Sequence, residues 1–412
     1  MQPPSSVLSG TPSPSSSPVL SPFNSDKFKF WSFVSMALLV FVHAYNIDIR
    51  YMSPWTTPNE PLTLTTFTQY FVANGLLRFR IPMLFVISGF LYALHDSKPN
   101  GERVRKRFHS LIVPYLLWSA LYLVLFCLVE MIPAGAAAIE QSHVAQMGPE
   151  GGLVHEYPWW AFPVRWILAP LPYQLWFIRV LFFYNLAYPL LRRALEGRTS
   201  RNLFLGIVGV MWILSMNLFL IEAEGLLFFS LGIWIQKGGF DIDRPRPWLN
   251  PLLWGAVCVG VAALKTWLAF RGQALLGEGL HPTLMVLHKL TIASGLVAAW
   301  FGFDPAVRWC MARPWFVWLS GFSFMIYVLH APLVAVAIDP FFALLGYAEG
   351  YRMLSFVLLP LVIIAFSVVV GALLRKAAPG VYAVLTGGRG LGEAHARNPF
   401  AAPAARPAAG NR

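Results

Sequence analysis

The feature that most limits what this chain can fold into is the recurrence of apolar runs about 20 residues long. A helix of that length spans the hydrocarbon core of a bilayer. In lipid every backbone N–H and C=O must be paired within the protein, which favours helices. Ten runs qualify, at about 30–48, 79–95, 109–131, 173–191, 203–221, 225–236, 250–270, 285–303, 315–337 and 353–374. The sixth is short, and either starts earlier or breaks at Gly225. Composition agrees: 57% of residues are hydrophobic and 12% are charged, about half the charge of a soluble domain. The expected fold is all-α, a polytopic bundle of about ten transmembrane helices.

Charge placement orients the bundle. With the first residues inside, 22 of the 31 basic residues fall on the cytosolic side. The long outer loop, about 132–172, carries Glu140, Glu150 and Glu156 against Arg165. This follows the positive-inside rule at each turn and places both termini in the cytosol. The net charge of +12 is therefore an orientation signal. Basic residues scattered over short loops, with no folded basic domain, give no case for nucleic acid. Residues 1–25 are Ser- and Pro-rich and read as a disordered cytosolic leader without the apolar core of a signal peptide. Residues 26–376 form the membrane domain, and residues 377–412 read as a disordered tail. Cys127, Cys258 and Cys310 have unrelated spacings and read as small core residues. No metal-ligand pattern, P-loop or dinucleotide fingerprint is present.

Polar groups inside apolar runs carry the functional signal, because an ionisable side chain in hydrocarbon costs free energy. His43 is the clearest. Ser32, Ser35, Leu39, His43, Asn46 and Arg50 recur every three or four residues and share one helix face. A buried histidine that only hydrogen-bonds a neighbouring helix is the plain alternative. In FRIPMLFVISGFLY, Arg80 begins a span, Pro82 suits an early turn, and Ser88-Gly89 lie mid-span, where Gly89 allows close helix approach. Arg80 either serves a site or snorkels to the headgroups. In LWFIRVLFFYN, Arg179 has no acid in its own segment and suits a bidentate anion or a distant ion pair. In SFMIYVLH, Tyr327 and His330 lie one turn apart. His43 and His330 lie at similar depth along outward-running helices, so both reach one cavity if the helices are adjacent. The aromatics of PWWAFPVRWILAP fit an interfacial belt better than a sugar platform.

The segments LLVFVHAYN, PMLFVISGFLY, RVRKRFHSLIVPYLLWS, LWFIR and SFMIYVLH occur in this order across the spans. Together they resemble the integral-membrane acyltransferases of the acyltransferase 3 type, over about residues 26–376. That family acylates lipopolysaccharide, exopolysaccharide and periplasmic glucans. Many relatives carry Arg or Lys eleven positions before the first histidine. Here Ser32 stands there, and Lys27 and Lys29 are the nearest bases.

The resemblance implies a bacterial inner-membrane enzyme that moves an acyl group, most simply acetyl, from acyl-CoA to a hydroxyl of a surface or periplasmic glycan. Its partners are acyl-CoA, a glycan or lipid-linked oligosaccharide acceptor, and membrane lipids. Acyl-CoA is a co-substrate, and no bound cofactor or metal is implied. A sugar hydroxyl needs a base, and neutral imidazole suits that role; His43 is the candidate, with His330 and Tyr327 beside it. Direct transfer and an acyl-imidazole relay both remain open. Tyr327, Asn46 or His330 would donate to an oxyanion. Arg80, Ser88, Arg107, Arg179 and Asn46 are the candidate substrate contacts, Arg107 as part of a basic mouth for the phosphates of CoA. A transporter or flippase for lipid-linked sugars is the alternative class, although the two halves show no convincing repeat.

Overall fold

A computed structural model describes residues 20–46, 56–57, 60–142, 152–218, 220–347 and 350–392. Arg50, Glu150 and most of the expected leader and tail lie outside the described residues. The described chain is a helical bundle, with one two-residue hairpin pairing Asn217–Leu218 to Ile221–Glu222. Six helical stretches are long and apolar enough to cross a membrane: Leu64–Leu94, Asn100–Glu130, Pro251–Arg271, Gln273–Gly302, Ser323–Leu344 and Tyr351–Ala377. Pro22–His43, Trp176–Glu196, Arg198–Ile213 and Ala223–Lys237 match the other four expected spans. Leu117, Leu121, Val124 and Leu128 stay exposed at helical spacing on Asn100–Glu130. Such a stripe suits lipid, not water.

The first helix starts at Pro22, whose missing N–H costs nothing there, and Ser21 caps it by accepting from the Asn24 amide. The leader therefore ends sooner than expected. The chain then runs back and forth between two ends of the bundle. One end gathers Lys27, Asp96, Arg103, Arg192 and Lys237, and is called the basic end here. Asp96 pairs there with Arg103 at 3.1 Å, Arg192 at 2.6 Å and Lys237 at 2.8 Å, tying four helices together.

Two of the long helices are interrupted. Leu64–Leu94 passes through a π-helical turn at Phe71–Gly75 and a 3₁₀ turn at Leu76–Phe79. The break leaves carbonyls for other partners: Asn74 accepts from Lys265 Nζ at 2.6 Å, and Leu77 from Arg80 at 2.7 Å. Asn100–Glu130 has a π turn at Phe108–Ile112 just before Pro114. Pro114 has no N–H for the carbonyl of Ser110, four residues earlier.

Close packing centres on the SGF segment. A Cβ at Gly89 would collide with the Phe229 carbonyl, and one at Gly232 with the Val86 carbonyl. Leu64–Leu94 and Ala223–Lys237 thus meet backbone to backbone. Gly225 lies inside an unbroken helix, so the sixth span is intact. The expected fifth span ends early, at Ile213. The tail also differs from expectation: Pro379–Thr386 is a helix with Tyr382 and Thr386 fully buried.

Candidate functional site

His43 is the last residue of the first helix, so its ring projects at the end of the bundle opposite the basic end. Its Nδ1 lies 2.6 Å from the Tyr173 hydroxyl, and the two rings meet edge-on at 5.5 Å. The His330 ring stands 5.2 Å away on Ser323–Leu344. The two histidine rings therefore meet, but His43 lines the cavity beside it and His330 does not. His330 Nδ1 sits 2.7 Å from the Tyr327 carbonyl and 3.2 Å from that of Ile326. Carbonyls only accept, so this nitrogen carries the proton in the neutral ring. His330 Nε2 is then a buried acceptor with no partner among the described residues.

A cavity of about 580 Å³ opens beside His43. Arg78 and Arg80 enter it from the broken stretch of Leu64–Leu94, and Tyr173, Gln174 and Tyr327 form another wall. Glu222 and Glu224 come from the hairpin and the helix after it, and His288 and Lys289 from Leu280–Gly302. Arg80 is 4% exposed and its Nε has no hydrogen-bond partner among the described residues; it lines the cavity and does not snorkel. Behind the wall, Lys265 Nζ is 2.9 Å from His288 Nδ1. Burial, reinforced by Glu224 and opposed by Lys289, pushes the Glu222 carboxyl up to about 8. The cavity therefore holds more positive than negative charge at neutral pH.

Other expected site residues fall elsewhere or have their polar groups already engaged. Asn46 is a structural stitch: its side chain bonds Gln69, at 2.9 Å, and Arg352, which is itself forked onto Glu60 at 2.7 and 3.1 Å. The Tyr327 hydroxyl donates to the Gln174 carbonyl at 2.6 Å, so it positions that wall and has no proton left for an oxyanion. Ser88 is not among the cavity-lining residues; it lies on the tightly packed helix 80–94. Arg179 sits near Tyr115, also off the lining of this cavity. Arg107 is at the basic end, 5.6 Å from the Tyr92 ring. Tyr173, Arg78, Glu222, His288 and Lys289 were not anticipated. The rule that singled out His43 applies equally to Lys265 and to His288-Lys289, which sit in apolar runs. Tyr173 carries no such signal, because a tyrosine beside a span start is ordinary.

A second cavity, of about 410 Å³, lies at the basic end. Ser25, Lys29 and Ser32 of the first helix line it, with Ser320, Ser323, Phe324 and Arg389. Leu39 and His43 of the same helix line the first cavity.

A multi-helix membrane protein with a tyrosine-held histidine at an internal charged cavity has the build of an integral-membrane enzyme or of a transporter for polar substrates. Residues 32–376 match the family described as an acyltransferase domain, and the chain belongs to that family. It is a multi-pass membrane acyltransferase. That decides between transferase and transporter. The chain is 24% identical over 360 residues to the succinoglycan biosynthesis protein ExoH of Rhizobium meliloti (strain 1021), covering 85% of this chain and 89% of the relative. No solved structure matches the chain.

Proposed function

We propose that the protein transfers an acyl group from acyl-CoA, entering at the basic end, to a hydroxyl of a glycan held at the opposite end. The single observation that carries this reading is the first helix. One face of it lines both cavities, through Ser25, Lys29 and Ser32 at one end and Leu39 and His43 at the other. Ser32 and His43 are separated by about 16 Å of helix, a span suited to a donor with a charged head and a long narrow arm. The relative's role in succinoglycan biosynthesis supports a polysaccharide acceptor. The acyl group is most simply acetyl.

In this reading the basic end faces the cytosol of a bacterial inner membrane, with ten crossings and both termini inside. The glycan hydroxyl enters the His43 cavity. Its oxygen attacks the thioester carbonyl while imidazole takes its proton. The C–S bond breaks, the thiolate regains a proton, and an ester and free CoA result. In this reading the His43 Nδ1–H donates to the Tyr173 oxygen and fixes the ring, which leaves Nε2 as the unprotonated nitrogen for the transfer. Arg80, whose Nε has no partner among the described residues, faces the charge developing on the carbonyl oxygen.

The test uses purified protein in proteoliposomes, with labelled acetyl-CoA on one side and polysaccharide on the other. Label should enter alkali-labile ester on the polysaccharide only when donor and acceptor are on opposite sides. No esterification with acetyl-CoA or succinyl-CoA, in any arrangement, contradicts the reading.

A further inference from the structure

The C-terminal segment that the sequence marks as unfolded instead forms one wall of the basic-end cavity. After the helix Pro379–Thr386, the chain turns through Gly387, Gly388 and Gly390, all with positive φ (62°, 79° and 74°). Side chains are strained in that region. Space forbids them too: a Cβ at Gly387 would strike the Ser110 carbonyl, and one at Gly390 the Gly321 carbonyl. Trp118 Nε1 donates to the Leu385 carbonyl at 3.0 Å, and Arg375 to that of Gly390 at 3.0 Å. The turn is thus fixed against two different helices.

This turn carries Arg389 into the cavity beside Lys29 and Ser32. Arg389 Nη1 donates to the Ser110 carbonyl at 2.7 Å and to the Thr386 carbonyl at 2.8 Å. Ser110 is the carbonyl that Pro114 leaves without its helical donor. The guanidinium lies 4.8 Å from the Phe324 ring centre. Burial, with Arg107 nearby adding to it, brings its pKa down to about 10, so it stays charged at neutral pH. Among the described residues no carboxylate pairs with it. Lys29, the other cation on the lining, pairs among the described residues with the exposed Asp26, at 3.3 Å. Two backbone carbonyls need a donor, not a charge. A guanidinium set near a second guanidinium, with no acid, is placed to meet an anion.

We propose that Arg389, presented by the C-terminal glycine turn and seconded by Lys29, binds the phosphates of the acyl donor, so that this segment is part of the donor site. The proposal rests on the donor reading above. Phosphate chemistry is shared by CoA and by anionic lipid headgroups, and the donor is the source proposed.

The full-length protein in nanodiscs of zwitterionic lipid is titrated calorimetrically with CoA, with thermal unfolding as control. Arg389→Gln should weaken CoA binding about 10- to 100-fold, the range for losing hydrogen bonds to a charged group. Arg389→Lys should fall between the two, because it keeps the charge and loses the fork. Lys29→Gln, on an exposed side chain, should weaken binding with unchanged unfolding, and decides the matter if Arg389→Gln is unstable. Wild-type affinity in stable Arg389→Gln, or in Lys29→Gln if it is not, overturns the proposal and leaves the donor reading intact. No CoA binding by the wild type overturns both. If phosphatidylglycerol, and not CoA, stabilises the wild type and loses that effect in Arg389→Gln, the site takes lipid and the proposal fails.

Discussion

Tyr173 meets His43 through a hydrogen bond of 2.6 Å, and that contact gives the imidazole its orientation. Tyr173→Phe keeps the ring packing and removes the hydroxyl. The rate of acyl transfer should fall about tenfold, near the upper end of what one neutral hydrogen bond contributes, while the amount of folded protein is unchanged. Transfer assays on equal amounts of purified variant measure this. Glu222 offers a pH test. Burial raises its folded pKa to about 8, so folding favours the protonated form. Its contribution to stability is then full below the ordinary carboxylate range and is lost as pH rises through about 8. Glu222→Gln should unfold at the same temperature as the wild type at pH 4, and at a progressively higher one as the pH is raised to 9. Equal unfolding temperatures at pH 9 would show that the carboxyl ionises without cost. At this scale the sequence was informative where it placed a charge in an apolar run, as at His43 and Arg80. It misled at Asn46 and Tyr327, because helix spacing gives the face of a residue and not its bonding partners. Both polar groups are taken by distant chain: Arg352 in one case, the Gln174 carbonyl in the other.

Helices were legible as elements because apolar length alone requires them. The breaks within them were not. Lys265 reaches Asn74 across 191 positions, and no local pattern announces that a π turn will free a carbonyl for it. The C-terminal helix was missed for a related reason. Its four large apolar residues, Val381, Tyr382, Val384 and Leu385, lie in a tail otherwise rich in Ala, Gly, Pro and Arg, and it is held by distant contacts such as Tyr382 to Gly321, at 3.2 Å, and Trp118 to Leu385. The SGF segment makes the sharpest element-scale prediction. Gly89→Leu drives a side chain into the Phe229 carbonyl, and so should separate two helices and sharply reduce membrane accumulation. Ser88→Ala, next to it, should accumulate and function like the wild type. Immunoblots of membrane fractions, with transfer assays, compare the two. Normal accumulation of Gly89→Leu would show that the contact can relax.

Across the whole molecule, charge divides by end. The basic end is held together around Asp96, and four of the nine basic residues outside the cytosolic set, Arg78, Arg80, Lys265 and Lys289, gather at or just behind the His43 cavity. With the basic end inside, a periplasmically active reporter fused at Glu156 should be active and the same reporter fused after Arg412 inactive. The opposite pattern would invert the bundle. The claim that joins these observations is that His43 is the base for glycan acylation, and one measurement tests it most directly. A His43→Ala strain is grown, its surface polysaccharide is purified, and NMR counts the acyl groups. The substitution leaves the apolar helix intact, so the protein should insert normally. Loss of a general base should slow transfer on the order of 10²–10⁴-fold. Polysaccharide should therefore be made in normal amount and carry almost no acyl ester. Fully acylated polysaccharide in normal amount from that strain would contradict the account.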